Sequence, residues 1–358
     1  MNLSQNPEIT QELRKEGLFY CSDDNAGFFR QPRLDRGKSS GKSFKYYGID
    51  GKTITDKKTL NRIKSLAIPP AWENVWICPK ENGHLQATGI DDRNRKQYIY
   101  HPNWISLSSQ NKFSKMVDFG LKLPNIRSKV KYDLQSKNLD KRKLLATVIW
   151  LLEHTFIRIG NAEYASENNS FGLTTLRNKH VEKKGSDIVF RFRGKSGIQH
   201  EIEVSNPTVV KTIKRCIELP GYELFKFIDE DGEKHVVDSA DVNQFLKDIT
   251  QDDFSAKDFR TWGATSISAN NFYTLGIPEN RTSLKKNIIE TVKKVANHLN
   301  NTVSVCRNYY IHPSVFQTYQ ENILVPHFGS YKNAKRPGLS WDEYALIKLL
   351  QKYPYESI

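Results

Sequence analysis

The chain has 358 residues and a mass of 41.4 kDa, room for about two domains of ordinary size, and its 38% apolar content lets each bury a core. Lysine and arginine number 54 against 40 acidic residues, a net charge of +14 spread along the chain, so a polyanion is the natural partner. No run approaches the roughly 20 apolar residues that span a bilayer, the N-terminus reads as no secretory signal, and the four scattered cysteines suggest neither a disulfide framework nor a zinc module, so a reducing cytoplasm is expected.

The first hundred residues carry short runs bounded by turn formers: Phe44 to Ile49, Trp72 to Cys78, Leu85 to Ile90 and Gln97 to Tyr100. These predict a small β-rich domain. The pattern changes from about residue 105. In Lys141 to Ile157, Leu144, Leu145, Val148, Leu151, Leu152 and Phe156 recur at helical spacing, which predicts a core helix ending before Gly160. Ile188 to Arg193 and Ile198 to Val204 alternate apolar and polar residues around Gly194-Lys195-Ser196-Gly197, a hairpin with a lysine at its tip. A second amphipathic helix is written in Ser283 to Leu299. After Pro326 comes a connector, then Ser340 to Glu343 as the capping box of a terminal helix carrying Leu346, Leu349 and Leu350.

The common templates for nucleotide binding, serine hydrolysis and zinc proteolysis are missing from the sequence. What remains is a set of basic and aromatic segments, each with a plain local explanation. Arg158 near a helix C-terminus favours the dipole there. Lys195 sits in a glycine-flanked turn. Arg260 beside Asp258 makes an ordinary ion pair. Tyr309 and Tyr310 before His312-Pro313 read as half-buried packing. Tyr98 and Tyr100, two apart on a predicted strand, point to one face beside Arg95, Lys96 and Gln97. None of these alone names an activity.

In order along the chain, however, the segments resemble the type IB DNA topoisomerases, in the small poxvirus-like form found in bacteria. The N-terminal part of the match rests on Ile68-Pro-Pro-Ala-Trp72, Ala87-Thr-Gly89 and Asp92 through Arg95-Lys-Gln-Tyr98-Ile-Tyr100-His-Pro102. The C-terminal part rests on Phe156-Ile-Arg158-Ile-Gly160, Tyr164, Gly172 to Leu176, Gly194-Lys195, Lys257-Asp-Phe-Arg260-Thr-Trp-Gly263 and Tyr309-Tyr310-Ile-His312-Pro313.

The resemblance implies an α+β fold: a β-rich N-terminal clamp domain over 1–103, a mainly α-helical catalytic domain over 104–326 of the kind shared with tyrosine recombinases, and a C-terminal extension over 327–358, the two domains clamping duplex DNA. It implies Tyr310 as nucleophile, forming a 3′-phosphotyrosyl intermediate; local chemistry does not separate it from Tyr309 or Tyr319. Arg158 and Arg260 would hold the nonbridging phosphate oxygens, as metal-free cleavage requires permanent cations there. Lys195 would give the leaving 5′-oxygen its proton. Asn301 stands where the family often has a histidine; its amide can donate the same hydrogen bond but does not exchange a proton at neutral pH. His298 and His312 are assigned to structure. Arg95, Lys96, Gln97, Tyr98, Tyr100 and Tyr164 are the implied DNA contacts. The resemblance further implies no metal, ATP or other cofactor, no membrane partner, a monomer, and a cytoplasmic, nucleoid-associated protein. The rival readings are a tyrosine recombinase and a noncatalytic duplex-DNA-binding protein.

Overall fold

The computed structural model describes residues 7–33, 43–92 and 94–355. It divides into two compact units, one ending at Asn111 and one beginning at Lys112. The break falls inside a 33-residue helix, past the boundary expected near 103.

The N-terminal unit holds helix α1 (Pro7–Lys15), then β1 (Phe28–Pro32), β2 (Phe44–Tyr47), α2 (Lys57–Ser65), β3 (Glu73–Ile77), β4 (Leu85–Ile90) and β5 (Lys96–Tyr100). The strands form one antiparallel sheet in the order β2-β1-β3-β4-β5. A core of Ile63, Ile68, Val75, Ile77 and Ala87 lies between the sheet and α2, whose first turn is capped by Asp56 accepting from the Thr59 amide at 2.8 Å. The Ile-Pro-Pro-Ala-Trp segment lies between α2 and β3, outside the ladders. Arg30 of β1, buried, donates to the Ile68 carbonyl (3.1 Å), the Trp72 carbonyl (3.0 Å) and the Pro69 carbonyl, which also accepts from the Trp72 amide at 3.1 Å.

The second unit begins within α3 (Pro102–Leu134) and continues with α4 (Lys141–Thr155), α5 (Ala162–Asn168), a three-stranded antiparallel sheet of β6 (Val181–Lys184), β7 (Asp187–Arg193) and β8 (Gln199–Val204), and α6 (Pro207–Glu218). A small ribbon, β9 (Lys226–Ile228) with β10 (Lys234–Val236), precedes α7 (Ser239–Thr250), α8 (Ala256–Leu275), α9 (Arg281–Leu299), α10 (Val303–Tyr309), α11 (Pro313–Gln320), α12 (Leu324–Tyr331) and α13 (Trp341–Lys352). Helices α4 and α8 run through one apolar core in which Leu144, Val148, Leu151, Leu152, Ala264 and Phe272 are fully enclosed.

The terminal helix belongs to that core. Leu346, Leu349 and Leu350 are buried in it, and Glu343 caps α13 through Ser340 while accepting from Arg127 of α3 at 2.6 and 2.8 Å. Arg127 also donates to Glu153 of α4 at 2.7 Å, so one guanidinium joins three helices. In the stretch expected as an extension after residue 326, α12 and α13 pack into this core, while the connector over 332–340 is mostly exposed. No described helix is long and apolar enough to cross a membrane.

Candidate active site

Arg158 is placed by an abrupt helix end. Helix α4 stops at Thr155 because Phe156 turns into the left-handed region (φ 53°), its amide still reaching the Leu152 carbonyl at 3.2 Å. The chain then runs extended, and the Arg158 and Ile159 carbonyls accept from Leu173 (2.9 Å) and Thr174 (2.7 Å). Where the strands cross, Gly160 and Gly172 touch backbone to backbone: a Cβ on Gly172 would lie 2.6 Å from both the Arg158 carbonyl oxygen and Gly160 Cα. Gly172→Ala is therefore expected to push the Arg158 segment aside. The neighbouring atoms are backbone on both sides, so the cost is about 1–3 kcal/mol of stability, read by thermal melting. Arg158 is thus beyond the helix rather than at its dipole, and its Nη2 donates to Asn301 Oδ1.

Arg260 projects from α8 and is only 4% exposed. It forms no ion pair with Asp258, which is occupied in capping α8 through the Ser255 amide at 2.7 Å. Arg260 instead donates to two carbonyls at helix ends, Phe156 and, at 2.8 Å, Leu299. Its Nε remains buried with no hydrogen-bond partner. One turn further along α8, Gly263 admits the Phe156 ring, which would lie 2.1 Å from a Cβ there. The same contact locks the α4 end to α8 and so sets Arg158 beside Arg260.

Lys195 sits between β7 and β8 in a tight reversal: the Gly194 amide donates to the Ile198 carbonyl at 2.7 Å, and Ser196 and Gly197 both have positive φ (64° and 78°). The side chain is exposed, at the end of the paired hairpin. Tyr310 caps α10, its amide donating to the Cys306 carbonyl at 3.1 Å. Thr265 of α8 fixes the same turn, its hydroxyl donating to the Tyr310 carbonyl (3.2 Å) and accepting from the His312 amide (3.1 Å).

Arg158, Lys195, Arg260 and Tyr310 line one cleft of about 580 Å³, together with Gly160, Gly172 and Lys257. The Arg260 guanidinium carbon lies 5.4 Å from the Tyr310 ring centroid. Burial alone would raise the phenol's pKa, but Arg260, then Arg158, with help from the Asn301 amide, outweigh it and bring the phenol below its ordinary value. Asn301 Nδ2 is buried and meets no acceptor at hydrogen-bond geometry. Arg260 Nε and Asn301 Nδ2 are thus two buried donors beside the Tyr310 phenol.

Geometry separates the three tyrosines that local chemistry left open. Tyr309 is 47% exposed. Tyr319 is fully buried, its hydroxyl donating to the Gly276 carbonyl and accepting from Asn287. Only Tyr310 of the three lines the cleft. Of the histidines, His312 caps α11 by accepting from the Ser314 amide at 3.2 Å, and His298 is exposed on α9.

In the N-terminal unit, Lys96, Tyr98 and Tyr100 share the exposed face of β5, the two rings stacked at 6.0 Å. Gln97 alternates to the other face and donates to Asp91 at 2.9 Å; Arg95 also donates to Asp91 (2.9 Å), and Lys96 pairs with Asp23 at 2.7 Å. Acidic neighbours thus already hold these three implied DNA contacts. Tyr164 lies on α5, with its side chain outside the described residues. Thr265 is the positioning residue that motif reading missed; it lies just two residues beyond the Lys257-to-Gly263 segment, on the same helix.

The chain matches a family model described as "Eukaryotic DNA topoisomerase I, catalytic core" over residues 101–327 and one described as "Bacterial DNA topoisomerase IB, N-terminal domain" over 43–91. It is 32% identical to DNA topoisomerase 1B of Acanthamoeba polyphaga mimivirus over 298 residues, covering 80% of this chain and 87% of that protein. It is 25% identical to DNA topoisomerase 1B of Vaccinia virus (strain Copenhagen), covering 76% of this chain and 88% of the relative. A match to DNA topoisomerase 1 of Schizosaccharomyces pombe is 26% identical over 80% of this chain and 34% of that larger protein.

Proposed function

The chain belongs to the type IB DNA topoisomerases, and from that premise we propose that it relaxes supercoiled duplex DNA by reversible transesterification at the Tyr310 cleft, without ATP or a metal ion. The observation that carries the reading is the gathering of two arginines, a hairpin lysine and an acidified tyrosine around one cleft.

Tyr310 Oη attacks the scissile phosphorus, its proton passing to solvent; the bond to the 5′-oxygen breaks, and Lys195 protonates that oxygen as it leaves. Arg158 and Arg260, with the Asn301 amide, take the charge that collects on the nonbridging oxygens of the five-coordinate phosphorus. The tyrosyl ester to the 3′-phosphate keeps the energy of the broken bond, so strand rotation can be followed by the reverse reaction with no external energy source. The stacked Tyr98 and Tyr100 with Lys96 form a second DNA-holding surface, so that both units serve to clamp the duplex. Phosphates compete with Asp23 and Asp91 for Lys96, Arg95 and Gln97, and the counterions released from the neutralised phosphates make binding salt-dependent and largely indifferent to sequence. We read the protein as a monomer acting on the nucleoid.

Incubation of negatively supercoiled plasmid with the protein in EDTA and without nucleotide tests the reading. Relaxation with a detergent-stable adduct at the 3′ end of the nick is expected. DNA retention without relaxation or adduct would return the protein to the noncatalytic DNA-binding class.

A further inference from the structure

We propose that Lys112 is a further positioning residue for the transesterification, setting a cation against the Tyr310 ring and holding it in the attitude of attack; the proposal rests on Tyr310 being the nucleophile. Helix α3 brings the Lys112 ammonium 5.2 Å from the Tyr310 ring centroid and 4.8 Å from that of Phe113. The Arg260 guanidinium is 5.4 Å from the same tyrosine ring, so two cations from two helices attend one phenol. Phe113 packs edge-on against His312 at 5.1 Å and Tyr355 at 6.1 Å, which keeps the lysine's surroundings aromatic.

The charged and titratable groups that act on Lys112 are Lys257 and Asp258 of α8, with Arg260, Tyr310 and His312 close by. Burial, with the repulsion of Lys257 and only partial relief from Asp258, pushes the Lys112 amine down to about 7. Burial and the Lys112 charge push His312 down to about 4, so it adds no charge near neutrality. Burial thus loosens the hold of Lys112 on its proton, and a phosphate entering the cleft favours the charged form. A cation over a phenol gains as the phenol becomes phenolate, so this contact strengthens during attack rather than before it.

Lys112→Met removes the cation and keeps the bulk of the stem, whereas Lys112→Arg keeps a cation. Single-turnover cleavage and duplex affinity are measured for both beside the wild type near neutral pH. The methionine variant is expected to cleave at least about tenfold more slowly, the scale of a desolvated cation over an aromatic ring. Its duplex Kd should stay within about threefold of wild type, and the arginine variant should recover most of the rate. Wild-type cleavage by Lys112→Met, or equal losses of rate and affinity that arginine does not repair, would overturn the role. A wild type that forms no tyrosyl adduct at all would instead remove the premise about Tyr310, so the two failures are distinguishable.

Discussion

Tyr310→Phe is expected to abolish both plasmid relaxation and the covalent adduct, a loss of more than about 10⁴-fold, while duplex binding changes by a few-fold at most. The substitution deletes one oxygen and leaves the ring near Lys112 and Arg260, so packing gives no reason for the fold to fail. Tyr309→Phe serves as the matched control: the Tyr309 side chain is exposed, and the variant should keep wild-type activity. Tyr319→Phe should act differently again. It strips the Gly276 carbonyl and Asn287 of a shared partner and lowers the melting temperature, with adduct formation intact below that temperature. Detergent gels with labelled duplex read all three. An adduct that persisted in Tyr310→Phe would move the nucleophile elsewhere.

Much of this site was legible because its residues sit where the local chain leaves few choices. Phe156-Ile-Arg158-Ile-Gly160 ends a helix and crosses Gly172 at backbone contact, and Gly194-Lys195-Ser-Gly197 closes a hairpin, so short motifs carry the geometry with them. The predicted helices over 141–157 and 283–299 are the observed α4 and α9 to within two residues at each end, since both carry a clear apolar stripe. Helix α8 was visible only as a motif. Its Ser, Thr, Asn and Gly residues are weak helix formers, and burial on several sides removes the polar face that would give it a period. Helix α3 was hidden for a related reason, having Pro124 in its interior and no sustained stripe, and Lys112 was hidden with it. Arg30 looked like one basic residue among many; only the fold shows it satisfying three carbonyls around Ile68-Pro-Pro-Ala-Trp72. Nor could the sequence show that Asp258 caps its helix and leaves Arg260 to reach across to Phe156 and Leu299.

That reach is a structural duty, a second duty in the reaction is proposed, and replacement of Arg260 should show both. Arg260→Ala leaves the Phe156 and Leu299 carbonyls without their donor in a buried setting, a cost of about 1–3 kcal/mol that appears as a lower melting temperature. The larger effect is on chemistry. Loss of one preorganised donor to a developing oxyanion costs about 10²–10³-fold in rate, and single-turnover cleavage at a temperature where the variant is folded should fall by that much. A third readout separates the duties. Among the groups that counter burial and lower the Tyr310 phenol's pKa, Arg260 contributes most, so removing it raises that pKa and the ascending limb of the cleavage-versus-pH profile must move to higher pH. A purely structural residue would lower stability and leave that limb where it was. Arg260→Lys sharpens the test: it restores a positive charge near the ring, but a compact ammonium lacks the spread, planar donors with which the guanidinium reaches two separate helix-end carbonyls and a phosphate oxygen. The lysine variant should regain part of the pH shift while remaining slow. Cleavage within about fivefold of wild type in Arg260→Ala, with an unmoved limb, would confine Arg260 to holding helix ends together.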